Sequence, residues 1–233
     1  MTRHRTAPRS SALRRGWIPL VALLGLLGGV LALAPATATI DGSDLPAKTA
    51  VRSALDGTGR WWASTGRVTR TIGGRPRQCR SDRQMLSYEE AKQRGYFGRE
   101  RGLPRSVTAV VEIAVFHYAS VDGAREAVER NVSYPRRCPR VTEWTCTDCD
   151  GISTTRRERV RARRVGEQSV AWTYRQVDNL KGSGYAVVAR KGSVVIRAEV
   201  GRIRDPFPRF VYPPLIKKAE ALAIARLALR QAT

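Results

Sequence analysis

Residues 106–120, SVTAVVEIAVFHYAS, predict the centre of the fold. The stretch is nearly continuous in β-branched, aromatic and small apolar residues, and Glu112 is its only acidic residue. An apolar run of this kind, without an alternating polar face, is typical of a strand that is buried on both sides. We therefore expect the central strand of a sheet here.

The segments that follow predict one helix and then a series of strands. Asp122 is expected to cap a helix over GAREAVERNV, in which Ala124, Ala127 and Val128 share a face. Strand patterns come next, at 154–166, 169–177, 184–190 and 193–201. The last two flank Lys191-Gly192, which suits a two-residue hairpin turn. Such short links predict antiparallel pairing.

Further helix signals lie on either side of this series. SDLPAKTAVRSALDG, residues 43–57, has a Ser or Asp cap, a proline in its first turn and a terminal glycine. SYEEAKQRG predicts a second short helix within residues 58–105, which are rich in Gly, Arg and Pro. The chain ends in an Ala- and Leu-rich helix, 213–232, which prolines open. The whole pattern predicts a single α+β domain.

The first 38 residues have the pattern of an export signal. Residues 1–17 hold five arginines and no acid, and an apolar run follows from Ile18 to Ala34. Ala36-Thr37-Ala38 then fits a small-x-small cleavage site. We predict a signal peptide over 1–38 and a domain over 39–233, secreted or associated with the cell envelope. An uncleaved membrane anchor is the alternative, and the Sec and twin-arginine routes both stay open.

The cysteines are interpreted from this location. Three of the four, Cys138, Cys146 and Cys149, fall within twelve positions, and Cys79 stands apart. An even count in an exported chain favours two disulfides over a metal site or a redox pair, both of which remain alternatives. We therefore predict no metal and no cofactor.

The order of these features resembles a known family. A strand runs into FHYASVDGAREAV, a cysteine precedes it and another follows its helix, and Val165-Gly166-Glu167 forms a turn before antiparallel strands and a closing Ala-rich helix. This order is similar to that of the PknH-like extracellular sensor domains of actinobacteria, named for the ectodomain of the mycobacterial serine/threonine kinase H. The resemblance implies a twisted antiparallel sheet, helices packed on one side of it, and a cleft for an unknown ligand.

The resemblance also implies a disulfide pairing. Cysteines of the family at the positions of Cys79 and Cys138 are joined. The family's second bridge ends in a late hairpin, where this chain has GYAVVAR and no cysteine. This chain departs from the family there and offers Cys146 with Cys149 instead.

An arginine pattern on the first strand of the late series gives a candidate anion-binding site. The chain has 42 Lys and Arg residues against 20 Asp and Glu residues, and its charge without the leader is about +17. On a strand over 154–166, alternate residues share a face, so Arg157, Arg159, Arg161 and Arg163 would form a ladder. It would meet a wall polymer or an anionic membrane surface; nucleic acid is the least favoured partner. The alternative is a solvated sheet edge.

No catalytic constellation emerges from the sequence. His117 is the only histidine after the leader, and a structural role is the simpler explanation for a histidine on a strand. No nucleophile, zinc-protease or phosphate-loop motif is present. Trp61, Trp62 and Trp144 suit packing better than a sugar or peptide groove. We predict a non-enzymatic sensor-like domain that binds an envelope or extracellular ligand, with an arginine-ladder adaptor and an unrecognised enzyme as alternatives.

Overall fold

The computed structural model describes residues 42–67, 85, 87–144, 152–176, 181–204 and 212–233. All of them belong to one compact unit, Ala38–Thr233. The predicted leader lies outside the described residues, as do Cys79, Cys146 and Cys149. Within the described ranges the chain forms one eight-stranded sheet and three α-helices, which confirms the α+β class.

Every pair of neighbouring strands in the sheet is antiparallel, and the strand order is β1-β2-β3-β8-β7-β6-β5-β4. The strands are β1 (Gly57–Arg67), β2 (Glu90–Glu100), β3 (Val107–His117), β4 (Arg140–Trp144), β5 (Ile152–Val160), β6 (Gln168–Gln176), β7 (Lys181–Lys191) and β8 (Val194–Arg204). The helices are α1 (Lys48–Ala54), α2 (Val121–Arg137) and α3 (Lys218–Gln231).

The predicted central strand is confirmed as β3, which lies between β2 and β8. Its odd-numbered residues from Ala109 to Val115 pack into one apolar cluster, and Ala114 and Phe116 pack into another. Because successive side chains of a strand point to opposite faces, the two clusters lie on opposite sides of the sheet. This double burial explains why the sequence of β3 shows no polar face.

The helices are divided between the two faces, so the expectation that they pack on one side is wrong. Residues of α1 and α3, among them Val51 and Ile224, share a cluster with Val111 and Ala198. Residues of α2 share the opposite cluster with Trp172 and Val188. The strands β6, β7 and β8 carry apolar side chains on both faces. Because each apolar face must be buried from water, helices pack on both sides of the sheet.

The helix predicted over SYEEAKQRG is wrong, since Glu90–Glu100 forms β2. This strand pairs with β1 on one edge and with β3 on the other. The hydrogen-bonded ladders on both edges outweigh the local helix preference of Glu, Ala, Lys and Gln. Tyr96 anchors the strand to the segment before α1, because its hydroxyl donates to the Pro46 carbonyl over 2.6 Å.

The strand predicted over 154–166 is shorter than expected and ends at Val160. Its register with β6 stops at Val160 opposite Ala171, and residues 161–165 have no regular structure. Gly166 then takes a positive φ of 64°, and a Cβ there would meet the Arg190 carbonyl oxygen at 2.3 Å. Only glycine suits this close turn into β6.

The remaining predicted elements lie near their expected places, whereas β1 and β4 were not predicted from the sequence. The turn between β7 and β8 is Gly192-Ser193, one residue later than expected, and Gly192 has a φ of 57°. Ser120 rather than Asp122 caps α2, since its hydroxyl accepts from the Gly123 backbone N–H at 3.1 Å. Cys138 follows α2, is buried and is disulfide-bonded. Its partner is outside the described residues, so the predicted pairing stays a prediction.

Candidate anion-binding site

Three arginines from three different strands stand side by side on the outer part of the sheet. Arg140 of β4 is directly opposite Arg156 of β5, and Arg156 is directly opposite Arg175 of β6. Residues directly opposite in neighbouring strands share a face, and the strands are about 4.8 Å apart. The three guanidinium groups therefore start from adjacent positions across the sheet. We call Arg140, Arg156 and Arg175 the arginine row.

The face that carries the row is the one covered by α1 and α3. On β6, Ala171 belongs to their apolar cluster, and Arg175 lies four residues further along the same strand. The row continues inward through Ser183, which is opposite Arg175, to Arg202, which is opposite Ser183. Arg202 is buried and ion-paired with Glu100, whereas Arg140, Arg156 and Arg175 are exposed.

A cavity of about 930 Å³ opens over the arginine row. Leu215, from the segment that leads into α3, contributes apolar surface to it. Arg175 also contacts an aromatic ring beside the cavity, with its Cζ 5.9 Å from the centroid of Tyr212. The cavity is lined by Pro139, Arg140, Arg156, Arg157, Glu158, Thr173, Arg175 and Leu215.

The row is not neutralised by acidic side chains of the described residues. None of the ion pairs formed among them involves Arg140, Arg156 or Arg175. Glu158 is the acidic residue that lines the cavity, and it too takes part in none of those pairs. Among the described lining residues, the three guanidiniums of the row and that of Arg157 face one carboxylate, which gives the cavity a positive potential. Guanidinium geometry suits carboxylate and phosphate oxygens.

The arginine ladder predicted from the sequence is not formed as expected. Arg157 and Arg159 lie on β5, but Arg161 and Arg163 follow the end of the strand. Arg157 faces α2 and is half-buried, with its Cζ 5.0 Å from the ring centroid of Tyr134. The four side chains therefore do not make one exposed row.

The strand register explains why sequence reasoning missed the arginine row. Arg140, Arg156 and Arg175 are separated by 16 and 19 positions, and no local spacing connects them. They adjoin only because β4, β5 and β6 pair in this register. The sequence contained a signal for one member of the row. Arg156 lies in the arginine-rich strand from which we predicted the ladder, but its side chain is on the opposite face from Arg157 and Arg159.

His117 is not surrounded by catalytic groups in the described residues. It ends β3 opposite Glu90 and Val194, and its Nε2 is buried without a hydrogen-bond partner among those residues. Glu112 is on the other face of the same strand, because the two positions differ by five and successive side chains alternate between faces. Glu90 shares the face of His117, but no carboxylate of the described residues forms a hydrogen bond with that Nε2 atom.

The tryptophans divide between the core and the surface. Trp61 is buried, and its ring lies over Gly98, where a Cβ would come within 2.1 Å of the ring. Trp62 is 54% exposed and stacks on Phe97 with ring centroids 5.9 Å apart. The side chain of Trp144 lies outside the described part of the structure.

A second charged cluster lies on the face that carries α2. Glu112 of β3 is directly opposite Glu199 of β8, and buried Arg197 is within 3.4 Å of the first and 3.6 Å of the second. Burial raises the pKa of Glu112 most, the Glu199 carboxylate raises it further, and Arg197 opposes both effects. Tyr174 lies near this pair, and burial raises the pKa of its phenol.

Replacing Glu112 with Gln should stabilise the protein at neutral pH. A raised carboxyl pKa means that the folded state favours the protonated form, so the stability that this group contributes falls as pH rises above its ordinary pKa of 4.5. Gln imitates the protonated form at every pH. We expect Tm to rise by roughly 1–3 °C at pH 7 and by less at pH 4. Thermal unfolding at both pH values measures this.

Glu129→Gln is the control for that measurement. Glu129 lies on α2 with 58% of its side chain exposed, 4.0 Å from Arg125. Its replacement should change Tm little at either pH, since exposed pairs contribute little to stability. A Glu112→Gln variant that is less stable than the wild type at pH 7 would contradict the sign of the effect.

The described residues show neither a membrane-spanning helix nor a metal centre. No helix in these ranges is long and apolar enough to cross a bilayer. No three His, Cys, Asp or Glu side chains gather there in a way that could hold a metal ion.

The fold is similar to those of two mycobacterial structures. One is the extracellular domain of PknH from Mycobacterium tuberculosis, with a TM-score of 0.48, 14% identity, and coverage of 81% of this chain and 92% of that one. The other is the Mycobacterium smegmatis ortholog of Rv0999, with a TM-score of 0.32, 13% identity, and coverage of 60% and 65%. No family model matches the sequence. No curated protein matches it either.

Proposed function

We propose that this chain is a non-catalytic, exported binding domain whose ligand carries an anionic group held by the arginine row. The alignment of Arg140, Arg156 and Arg175 across three strands, under a cavity of about 930 Å³, is the observation that carries the proposal. The strand backbones fix the positions from which the three side chains start. Ligand binding therefore loses less conformational entropy than it would with three arginines on a flexible loop.

The charge balance of the chain supports an anionic ligand. The formal net charge is +22 at pH 7. Such a field draws anions toward the protein and raises association rates, and a cleft lined by one sign of charge concentrates the effect. The guanidinium groups of the row then provide bidentate donors for phosphate or carboxylate oxygens.

Export and the absence of catalysis are part of the same proposal. The basic and apolar leader pattern and the even number of cysteines favour a location outside the cytoplasm. The described residues that line the cavity supply guanidiniums, one carboxylate and one hydroxyl, and none of these described residues is a histidine or a cysteine. This composition suits the recognition of an anion better than acid–base or nucleophilic chemistry.

Replacing Arg156 with Gln should weaken the binding of inorganic pyrophosphate by the full-length chain roughly tenfold. Arg156 is the middle member of the row, and a hydrogen bond to a charged group contributes about 1.5–3 kcal/mol. The wild-type affinity should also fall with rising salt more steeply than that of the variant. Isothermal titration at two salt concentrations measures both effects.

Arg159→Gln is the matched control for this experiment. Arg159 is exposed and lies on the same strand as Arg156, but it is opposite Trp172 on the α2 face. Its replacement by Gln removes the same charge from the chain as Arg156→Gln does. It should change affinity much less than Arg156→Gln. Equal losses in the two variants would mean that overall charge, rather than the arginine row, binds the anion.

A role as an envelope adaptor is the second candidate function. Arg140, Arg156 and Arg175 are exposed and belong to the three outermost strands at one edge of the sheet. A long anionic polymer has access to such an edge, and the same Arg156→Gln variant should then lose affinity for wall polymer. Binding to polymer without measurable binding to pyrophosphate would favour the adaptor.

A further inference from the structure

Glu158 places one negative charge beside the positive charges of the arginine row. It lies two residues after Arg156 on β5, so its side chain starts from the same face about 6.6 Å further along the strand. Thr173 of β6 is directly opposite it, and both residues line the cavity. Glu158 is exposed and forms no ion pair with the described cations, although Arg156 and Arg175 are near neighbours in the strand register.

This arrangement disfavours a ligand that is anionic along its whole length. An anionic group next to Glu158 would meet a like charge, which costs affinity. A positively charged group at the same place would have the Glu158 carboxylate as its acceptor. The guanidiniums of Arg156 and Arg175, which lie two residues away along their strands, would bind the anionic group of the same ligand. Repulsion of the wrong charge pattern is a common source of specificity.

We propose that the arginine row and Glu158 together bind a phosphate group that carries a primary amine on a short linker, as in phosphoethanolamine. The proposal rests on the proposed function, since it assigns the chemistry of the ligand at the same cavity. The phosphate lies against Arg156 and Arg175, and the ammonium donates to the carboxylate of Glu158. The Thr173 hydroxyl donates to the Glu158 backbone carbonyl over 3.4 Å, and its oxygen remains an acceptor for the ammonium.

The test compares O-phosphoethanolamine, phosphocholine and inorganic phosphate as ligands of the full-length chain. We expect phosphoethanolamine to bind about fivefold more tightly than inorganic phosphate, which is the upper range for an exposed charge pair. Phosphocholine should bind less tightly than phosphoethanolamine, because its quaternary ammonium has no N–H to donate. Isothermal titration at low salt gives the three affinities.

Glu158→Gln separates this inference from the proposed function. The variant should lose the preference for phosphoethanolamine while it binds inorganic phosphate at least as tightly as the wild type. Arg156→Gln should weaken both ligands, and Arg159→Gln should weaken neither by a comparable factor. If Glu158→Gln leaves the preference unchanged, or if inorganic phosphate binds the wild type more tightly, the inference is overturned. If no phosphate ligand binds at all, the proposed function itself fails.

A second arm identifies the source of the headgroup. Vesicles of phosphatidylethanolamine and phosphatidylcholine are compared with vesicles of phosphatidylcholine alone, in each case with the wild type and with Glu158→Gln. A lipid source predicts binding that requires ethanolamine headgroups and that is reduced in Glu158→Gln. A soluble or wall-borne source predicts binding of free phosphoethanolamine without capture by the vesicles. Vesicle binding that is equal for both lipid mixtures and both proteins would contradict recognition of the amine.

Discussion

Replacement of Arg202 by Met is expected to destabilise the fold by about 3–5 kcal/mol, the usual cost of breaking a buried ion pair from one side. Arg202 donates from Nε to Glu100 over 2.9 Å and from Nη2 to the other carboxylate oxygen, and its Nη1 donates to the Pro214 carbonyl over 3.0 Å. Only 9% of the Arg202 side chain and 5% of the Glu100 side chain are exposed. Met fills a similar volume but leaves a buried carboxylate without its partner.

The double variant Glu100→Gln, Arg202→Met tests whether the unpaired charge causes the loss. Removing the charge of Glu100 as well should recover a large part of the lost stability. Removing one partner of a buried ion pair leaves an uncompensated charge, whereas replacing both partners does not. Chemical denaturation of the wild type, both single variants and the double variant gives the coupling energy. Additive losses would show that Arg202 acts through packing or through the Pro214 carbonyl instead.

Replacement of Trp61 by Ala should destabilise the protein by about 3–5 kcal/mol, as for other large buried aromatic residues. Trp61 is 3% exposed, and its indole N–H donates to the Arg99 carbonyl over 3.1 Å. The ring occupies the space over Gly98 that a side chain would otherwise fill. Its removal leaves a cavity at the packed side of the outermost pair of strands, β1 and β2.

Trp62→Ala is the matched control, because it changes the next residue of the same strand by the same chemistry. Trp62 is 54% exposed on the opposite face and contacts Phe97. We expect a loss of about 1 kcal/mol or less, which reflects the aromatic contact and a little buried area. Equal losses in the two variants, measured by urea denaturation, would contradict the difference in burial on which the prediction rests.

The predictions from sequence were most accurate where burial left a direct pattern. SVTAVVEIAVFHYAS is apolar on both sides because β3 is covered on both faces, and the late strands have similar patterns. The prediction failed for β2, whose Glu, Ala, Lys and Gln favour a helix locally. There the strand conformation results from pairing with β1 and β3, and the local sequence of β2 contains no information about those partners.

The same contrast applies to the candidate site. The sequence indicated a basic chain with arginines clustered near residue 160, and from these two features we predicted a candidate site for an anionic partner. It placed Arg157 in an exposed ladder, whereas Arg157 is half-buried over Tyr134 and its neighbour Arg156 belongs to the exposed arginine row. Alternation along a strand shows which residues share a face, but not which face is covered.

The amino-acid sequence by itself therefore determined the α+β class, the central strand and the excess of positive charge, since these depend on composition and on short-range burial patterns. Only the tertiary structure decided that α2 covers the face opposite to α1 and α3, and that Arg140, Arg156 and Arg175 form one row beside Glu158. The physical reason is strand register. Cross-strand neighbours are set by backbone hydrogen bonds between segments distant in the chain, and a shift of one residue would turn each arginine to the other face.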